Sequence, residues 1–103
     1  MGSTFWNCTS LTTAPAIPSS VTNMSHTFYI CKSLTTAPEI PSSVTNMTGT
    51  FNGCTSLTGT IKIDANPTSW TKCLYNTKVT SVTGETTMAS HFMATKTSTS
   101  TNT

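Results

Sequence analysis

Few residues of this chain could carry out chemistry. Its 103 residues include two histidines, three carboxylates and four cysteines. Neither His26 nor His91 has an acid or a second histidine at a spacing typical of a metal site or a general base, and the carboxylates are scattered singly along the chain. The sequence therefore predicts a protein that is not an enzyme and that has no metal site and no cofactor. The carboxylates are Glu39, Asp64 and Glu85.

The four cysteines share one local pattern, because each follows an aromatic residue by three positions. Two disulfides are possible. However, side chains at one position of stacked copies run parallel to one another, so we expect a column of free thiols that pack as small apolar groups. Disulfide bonds remain an alternative, so the cysteines do not indicate whether the protein works in an oxidising or a reducing compartment. The cysteines are Cys8, Cys31, Cys54 and Cys73.

A 23-residue repeat supplies the elements that would position these residues. Residues 28–50 match residues 5–27 at most positions, and a fixed period predicts that similar units stack on one another. Less regular copies are expected at 51–69 and 70–91. In this alignment one aromatic column contains Phe5, Phe28, Phe51, Trp70 and Phe92, and Cys73 takes the same position as the other cysteines.

The apolar residues within one copy recur every three or four positions, which is neither strand alternation nor a sustained helical stripe. This spacing favours a coil in which each copy makes one circuit with its apolar side chains inside. We predict a repeat solenoid over residues 1–92, mainly β with short helical turns and about four circuits. Strands are indicated at 58–63 and 79–83. Residues 93–103 are expected to form a Thr/Ser-rich tail with no core residue after Ala94.

The repeat resembles the BspA-like leucine-rich repeats and related repeats of Mycoplasma surface lipoproteins. This resemblance implies a leucine-rich-repeat solenoid with a turn of helix around the Phe-x-x-Cys segment, and a surface-exposed protein that attaches to host cells or matrix. Pro15 and Pro38 depart from the family pattern, and because each removes a backbone donor we expect an irregular strand there. The matching residues are Phe28, Cys31, Ser33, Leu34, Thr35, Ile40, Pro41, Ser42, Ser43, Val44, Thr45, Asn46 and Met47.

The composition narrows the range of partners. Charged residues make up 8% of the chain and the formal net charge is +2, so no nucleic-acid partner is expected. No apolar run reaches the roughly 18 residues that a membrane span needs, and the first residues do not form a signal peptide. We expect an extracellular or surface-exposed protein, on a cell or a virion, that binds a protein or a glycan on a host or neighbouring cell.

The candidate contact face consists of hydroxyl side chains that recur in the Ser-Leu-Thr segments. An alternative hypothesis is a self-assembling structural subunit, because Met1 and Phe5 already lie in the repeat register and leave an uncapped end that could stack on other copies of the chain. A threonine array could also suit ice, but Lys32 and Gly59 interrupt neighbouring threonine columns. The contact-face residues are Ser10, Thr12, Ser33, Thr35, Ser56 and Thr58.

Overall fold

The computed structural model describes residues 2–97, so Met1 and residues 98–103 of the expected tail lie outside the described residues. Its regular elements are strand β1 (Thr58–Lys62), strand β2 (Lys78–Thr83) and helix α1 (Ala89–Ala94). The two strands pair in parallel as a two-stranded sheet. Both strand predictions are confirmed, whereas the helix was not predicted.

Isolated parallel bridges connect the rest of the chain. Residues that hold equivalent positions in successive copies pair with one another, which requires the chain to return to the same place in the same direction one copy later. Around Pro15 and Pro38 the pairing is limited to single bridges, so the expected irregularity is confirmed. The repeat solenoid itself stays a prediction. The bridges join Thr13 to Thr36, Asn23 to Asn46, Ile40 to Ile63, and Asn46 to Ser69.

Four hydrogen-bonded turns, at residues 2–7, 25–30, 48–53 and 71–76, form what we call the turn strip. Here the structure has i to i+3 turns in place of the expected helical turn: the Tyr29 N–H donates to the His26 carbonyl and the Cys31 N–H to the Phe28 carbonyl. Left-handed residues interrupt these turns at two positions, so that no helix propagates. The left-handed residues are Ser3, His26, Gly49 and Lys72 at the first position, and Asn7, Ile30, Gly53 and Asn76 at the second.

Backbone hydrogen bonds between successive turns keep a strict register. The Phe28 N–H donates to the Thr50 carbonyl at 2.9 Å, and the Phe51 N–H donates to the Cys73 carbonyl at 2.9 Å. Cys73 therefore aligns with Thr50, not with Cys54, and Leu74 takes the position of Phe51. The expected alignment of Trp70 and Cys73 with the earlier Phe-x-x-Cys pairs is wrong, because the period of the first copies continues unchanged through this turn.

The core lies inside these turns. The ring centroids of Phe5 and Phe28 are 5.3 Å apart and those of Phe28 and Phe51 are 5.4 Å apart, with nearly parallel planes in both pairs. Phe92 of α1 is also fully buried. Thr95 is buried too, and this corrects the expectation that no core residue follows Ala94.

Candidate functional site

The threonines of the predicted contact face form an exposed column. Thr12, Thr35 and Thr58 are all exposed. The Thr35 N–H donates to the Thr12 carbonyl at 3.1 Å, and the Thr58 N–H donates to the Thr35 carbonyl at 3.5 Å. The structure thus places these three side chains side by side, as alignment of the copies predicts.

Two of the three serines of the same face are less exposed than its threonines, and the hydroxyls of both Ser33 and Thr35 donate to carbonyls of the preceding copy. Ser10 is exposed, whereas Ser33 and Ser56 are half-buried. The Ser33 hydroxyl donates to the Thr9 carbonyl of the preceding copy. Its one proton is therefore used inside the molecule, and only its lone pairs can accept a bond from a ligand.

A second exposed threonine column escaped sequence reasoning. Thr22, Thr45 and Thr68 are exposed and lie one copy apart. The Thr45 N–H donates to the Thr22 carbonyl at 2.8 Å, and the Thr68 N–H donates to the Thr45 carbonyl at 2.9 Å. The sequence does contain a threonine at this position in successive copies. Thr68 was missed because the predicted alignment of Trp70 with Phe51 made the third copy too short to place Thr68 level with Thr45.

Trp and Tyr side chains collect on the outside of the turn strip. Trp6, Tyr29, Asn52 and Tyr75 hold the same position in successive turns, one copy apart. The Trp6 and Tyr29 rings are 4.4 Å apart between centroids, and the His26 ring lies 5.5 Å from Trp6. Trp6 is 50% exposed. We call these four column residues, with His26 beside them, the aromatic strip.

The cysteines are free thiols, as expected. The Cys31 thiol donates to the Phe5 carbonyl and the Cys54 thiol donates to the Phe28 carbonyl, each at 3.0 Å. Burial raises the pKa of Cys31, and it raises the pKa of Cys54 to about 12. A nucleophilic cysteine needs a thiolate, so these two thiols are poor candidates for catalysis.

Cys73 has a different environment from the other cysteines. Burial raises its pKa to about 12, and its sulfur lies 3.6 Å from the Thr95 hydroxyl. Thr95 donates its own proton to the Phe92 carbonyl at 2.6 Å and accepts the Leu74 N–H at 3.0 Å. Cys73 therefore belongs to a column of buried hydrogen-bonding groups with Thr27 and Thr50, and it helps to attach the segment after α1 to the core.

Two of the three carboxylates, those of Glu39 and Asp64, share Lys62 as their ion-pair partner at the surface. Lys62 Nζ lies 3.6 Å from Glu39 Oε2 and 4.0 Å from Asp64 Oδ2. Asp64 also accepts the Glu85 N–H at 2.9 Å, which fixes the chain after β2. Within residues 2–97, no group of three or more His, Cys, Asp or Glu side chains is arranged to hold a metal ion.

One shallow cavity of about 350 Å³ lies between the first two copies. Its lining is apolar apart from Glu39 and includes no residue of the threonine face or of the aromatic strip. The lining residues are Ala14, Ala16, Ile17, Pro38 and Glu39.

Comparison with known proteins found no matching family model, no matching curated protein and no matching solved structure. Among the helices of residues 2–97, none is both long and apolar enough to cross a bilayer.

Proposed function

We propose that this chain is a noncatalytic binding module, built as a leucine-rich-repeat-like solenoid, that attaches to a protein or a glycan on a host or neighbouring cell. In this proposal the protein acts at an extracellular or virion surface. Regular stacking suits such a role because it presents the same side chain at equal intervals along one face.

The observation that carries the proposal is the exposed threonine column. Thr12, Thr35 and Thr58 each hold a polar, uncharged side chain in a backbone that hydrogen bonds fix from copy to copy. The three threonines carry no charge, so they would recognise a partner through shape and hydrogen bonds; the exposed Lys78 of β2 pairs with Thr58 at the edge of this face. The raised thiol pKa values support a noncatalytic role for the interior cysteines.

The experiment is a cell-binding assay with purified, fluorescently labelled protein. We expect replacement of Thr12, Thr35 and Thr58 by lysine to abolish binding, because three long charged side chains would block contact across this face. The same triple replacement at Thr22, Thr45 and Thr68 is a matched control, since that column is also exposed and also supported by backbone bonds. Equal binding by both variants and the unmodified chain would rule out the predicted contact face.

Self-assembly as a structural subunit is the second candidate. Phe5, Leu11 and Ile17 of the first copy are only half-buried, whereas their counterparts one copy later are fully buried, so another copy of the chain could cover them in an assembly. At the other side of the stack, Phe92 of α1 is buried in the core cluster. Light scattering decides between the two: large oligomers favour a filament, and a concentration-independent monomer favours the binding module. The fully buried counterparts are Phe28, Leu34 and Ile40.

A further inference from the structure

The aromatic residues differ in exposure. Three of the four phenylalanines are fully buried and Phe5 is half-buried, whereas both tryptophans and both tyrosines keep part of their surface in solvent. Trp and Tyr combine a broad apolar ring with a polar group, and they are enriched where a protein contacts a partner. The outside of the turn strip therefore has a composition that core packing does not explain.

These rings are held in place by the backbone beneath them. His26 has a left-handed backbone, with φ of 53°, and its ring contacts both Trp6 and Tyr29. Gly49, one copy later, leaves room for this ring, since a Cβ at Gly49 would lie 2.6 Å from His26 Cδ2. The aromatic surface is thus already arranged before any ligand arrives, which lowers the entropic cost of binding.

The strip combines aromatic rings with one amide that can form hydrogen bonds. Asn52 lies between Tyr29 and Tyr75 in the same column, and its amide can both donate and accept. The Lys72 ammonium is the one cation of the four turns, and it lies 5.8 Å from the Tyr75 ring centroid. Consecutive positions along the column are about 4.8 Å apart, as expected for stacked rungs.

This pattern fits a carbohydrate better than other ligand classes. A nucleic acid would need several cations for its phosphates, and a small apolar molecule would need a concave pocket. A sugar ring has an apolar C–H face that stacks on Trp or Tyr, and hydroxyls that bond to an amide or imidazole. The spacing of the column is close to the length of one sugar unit in an extended chain.

We infer that the aromatic strip of Trp6, His26, Tyr29, Asn52 and Tyr75 binds a linear, uncharged glycan, with about one sugar unit for each copy of the repeat. This inference rests on the proposed binding function and names its ligand class and a second contact surface. Trp6, the most exposed ring, provides the main stacking face, and Asn52 holds the hydroxyls of a central sugar unit.

The test is a fluorescence titration with linear oligosaccharides of one to six units: β-1,4-linked glucose, β-1,4-linked N-acetylglucosamine and α-1,4-linked glucose. A Trp70→Phe background leaves Trp6 as the single tryptophan, so a change in emission reports on the strip. We expect affinity for at least one series to rise with length up to about four units. Trp6→Ala removes the fluorescent reporter, so binding by this variant is measured by isothermal titration calorimetry; we expect it to be about tenfold or more weaker, as for removal of one stacking ring.

Tyr75→Ala is expected to weaken binding of the four-unit ligand while leaving the two-unit ligand nearly unchanged, because the shorter ligand does not span from Trp6 to Tyr75. Thr22→Ala, in the second threonine column, is the matched control and should bind as the unmodified chain does. A thermal melt of each variant, with Trp6→Leu as a second substitution that keeps an apolar contact with Tyr29, separates lost binding from lost folding.

Failure of this inference differs from failure of the proposed function. No binding to any of the three series overturns the inference, and so does binding that Trp6→Ala and Tyr75→Ala leave unchanged. Absence of cell binding together with oligosaccharide binding overturns the attachment role alone.

Discussion

The turn strip differs from the strand side of the molecule, which consists of β1 and β2, in how it accommodates a copy of the repeat that is shorter than the others. In the turn strip, the third and fourth turns are still one full copy apart in register. The Gly53 N–H donates to the carbonyl of Tyr75, the residue before Asn76. On the strand side, Thr58 pairs with Lys78, which comes earlier in the chain than a full copy would place it. The shortening therefore lies between the two regions, where Thr77 alone replaces the segment 54–57.

The difference shows which part of the repeat sets the register. Each turn needs two left-handed residues at fixed positions and a ladder of bonds to its neighbours, so a deletion inside it would break several bonds at once. A pair of strands can absorb an extra residue in a bulge. The register of β1 and β2 does shift between Gly59 and Thr60, which leaves Thr80 as the extra residue.

The first prediction has the largest expected effect and tests whether the turn strip contributes more to stability than the strand side does. Phe51→Ala removes a fully buried ring from the stack inside the turns, and we expect a loss of about 3–5 kcal/mol in the free energy of unfolding. Val82→Ala in β2 removes a half-buried side chain and should cost about 1 kcal/mol or less. Urea unfolding of both variants measures the difference. Comparable losses would contradict the view that the turn strip dominates.

The second prediction separates backbone strain from steric clash in the two regions. Gly49 (φ +62°) and Gly59 (φ +79°) are both left-handed, but a Cβ at Gly59 would meet nothing within 4 Å, whereas one at Gly49 would overlap His26. We expect Gly59→Ala to cost about 1–2 kcal/mol from backbone strain alone. Gly49→Ala should cost about 3 kcal/mol, because overpacking adds to the strain.

A double mutant provides the control for this prediction. In a His26→Ala background the clash is gone, so Gly49→Ala should cost no more than Gly59→Ala does in the unmodified chain. Thermal and urea unfolding of the unmodified chain, both single variants and the double variant gives the coupling between positions 26 and 49. A coupling near zero would show that the His26 ring does not restrict this turn.

Much of the architecture that these variants probe could be predicted from the sequence, and the missing part has a physical cause. Period and alternation located β1, β2 and the column of Phe5, Phe28 and Phe51. The fourth turn was misaligned because Trp70-x-x-Cys73 imitates Phe51-x-x-Cys54 in residue type. The hydrogen-bond register that distinguishes them depends on backbone angles, and Lys72 and Asn76 adopt left-handed angles without the glycine that would have marked them.

Of the two candidate contact surfaces, the sequence predicted the threonine column but not the aromatic strip. Exposure of Thr12, Thr35 and Thr58 follows directly from alignment of polar residues. The aromatic strip was missed because its column residues differ in type, so no repeated letter marks them in the sequence. Buried Thr50 was missed as well, since a hydroxyl is predicted to face solvent unless the backbone offers it an acceptor.

The third prediction tests a hydrogen bond that belongs to the turn strip. The buried Thr50 hydroxyl lies 2.9 Å from the Met24 carbonyl and 2.8 Å from the Met47 carbonyl. Thr50→Val keeps the shape of the side chain but removes the donor, and we expect a loss of about 1–2 kcal/mol. Thr60→Val on β1 removes an exposed hydroxyl that bonds to Ser81, and it should cost about 0.5 kcal/mol or less because water replaces the partner. Equal losses in urea unfolding would mean that the inner hydroxyl contributes no more than a surface one.

The fourth prediction concerns the pH dependence of stability that arises from the buried thiols of Cys54 and Cys73. Burial raises the pKa of Cys54 and of Cys73 from 9.0 to about 12 in the folded chain. Above pH 9 the unfolded chain loses these protons while the folded chain keeps them, so stability should fall between pH 9 and about pH 12. Cys54→Ala and Cys73→Ala should each make this fall smaller than in the unmodified chain, as measured by urea unfolding at pH 7 and pH 10.5. If the free energy of unfolding falls with pH as much in both variants as in the unmodified chain, burial of these two thiols is not the cause of the fall.

Alkylation of the same two thiols sharpens the comparison, because it reports local opening without unfolding the whole chain. The Cys73 carbonyl accepts the Phe51 N–H within the ladder of the turn strip, whereas Cys54 begins the segment where the register changes. Iodoacetamide at pH 9 should therefore modify Cys54 faster than Cys73, with the modified residue identified by mass spectrometry. If Cys73 reacts first, the turn strip opens more readily than the segment 54–57 that follows it, which would contradict the view that the left-handed turns hold the register.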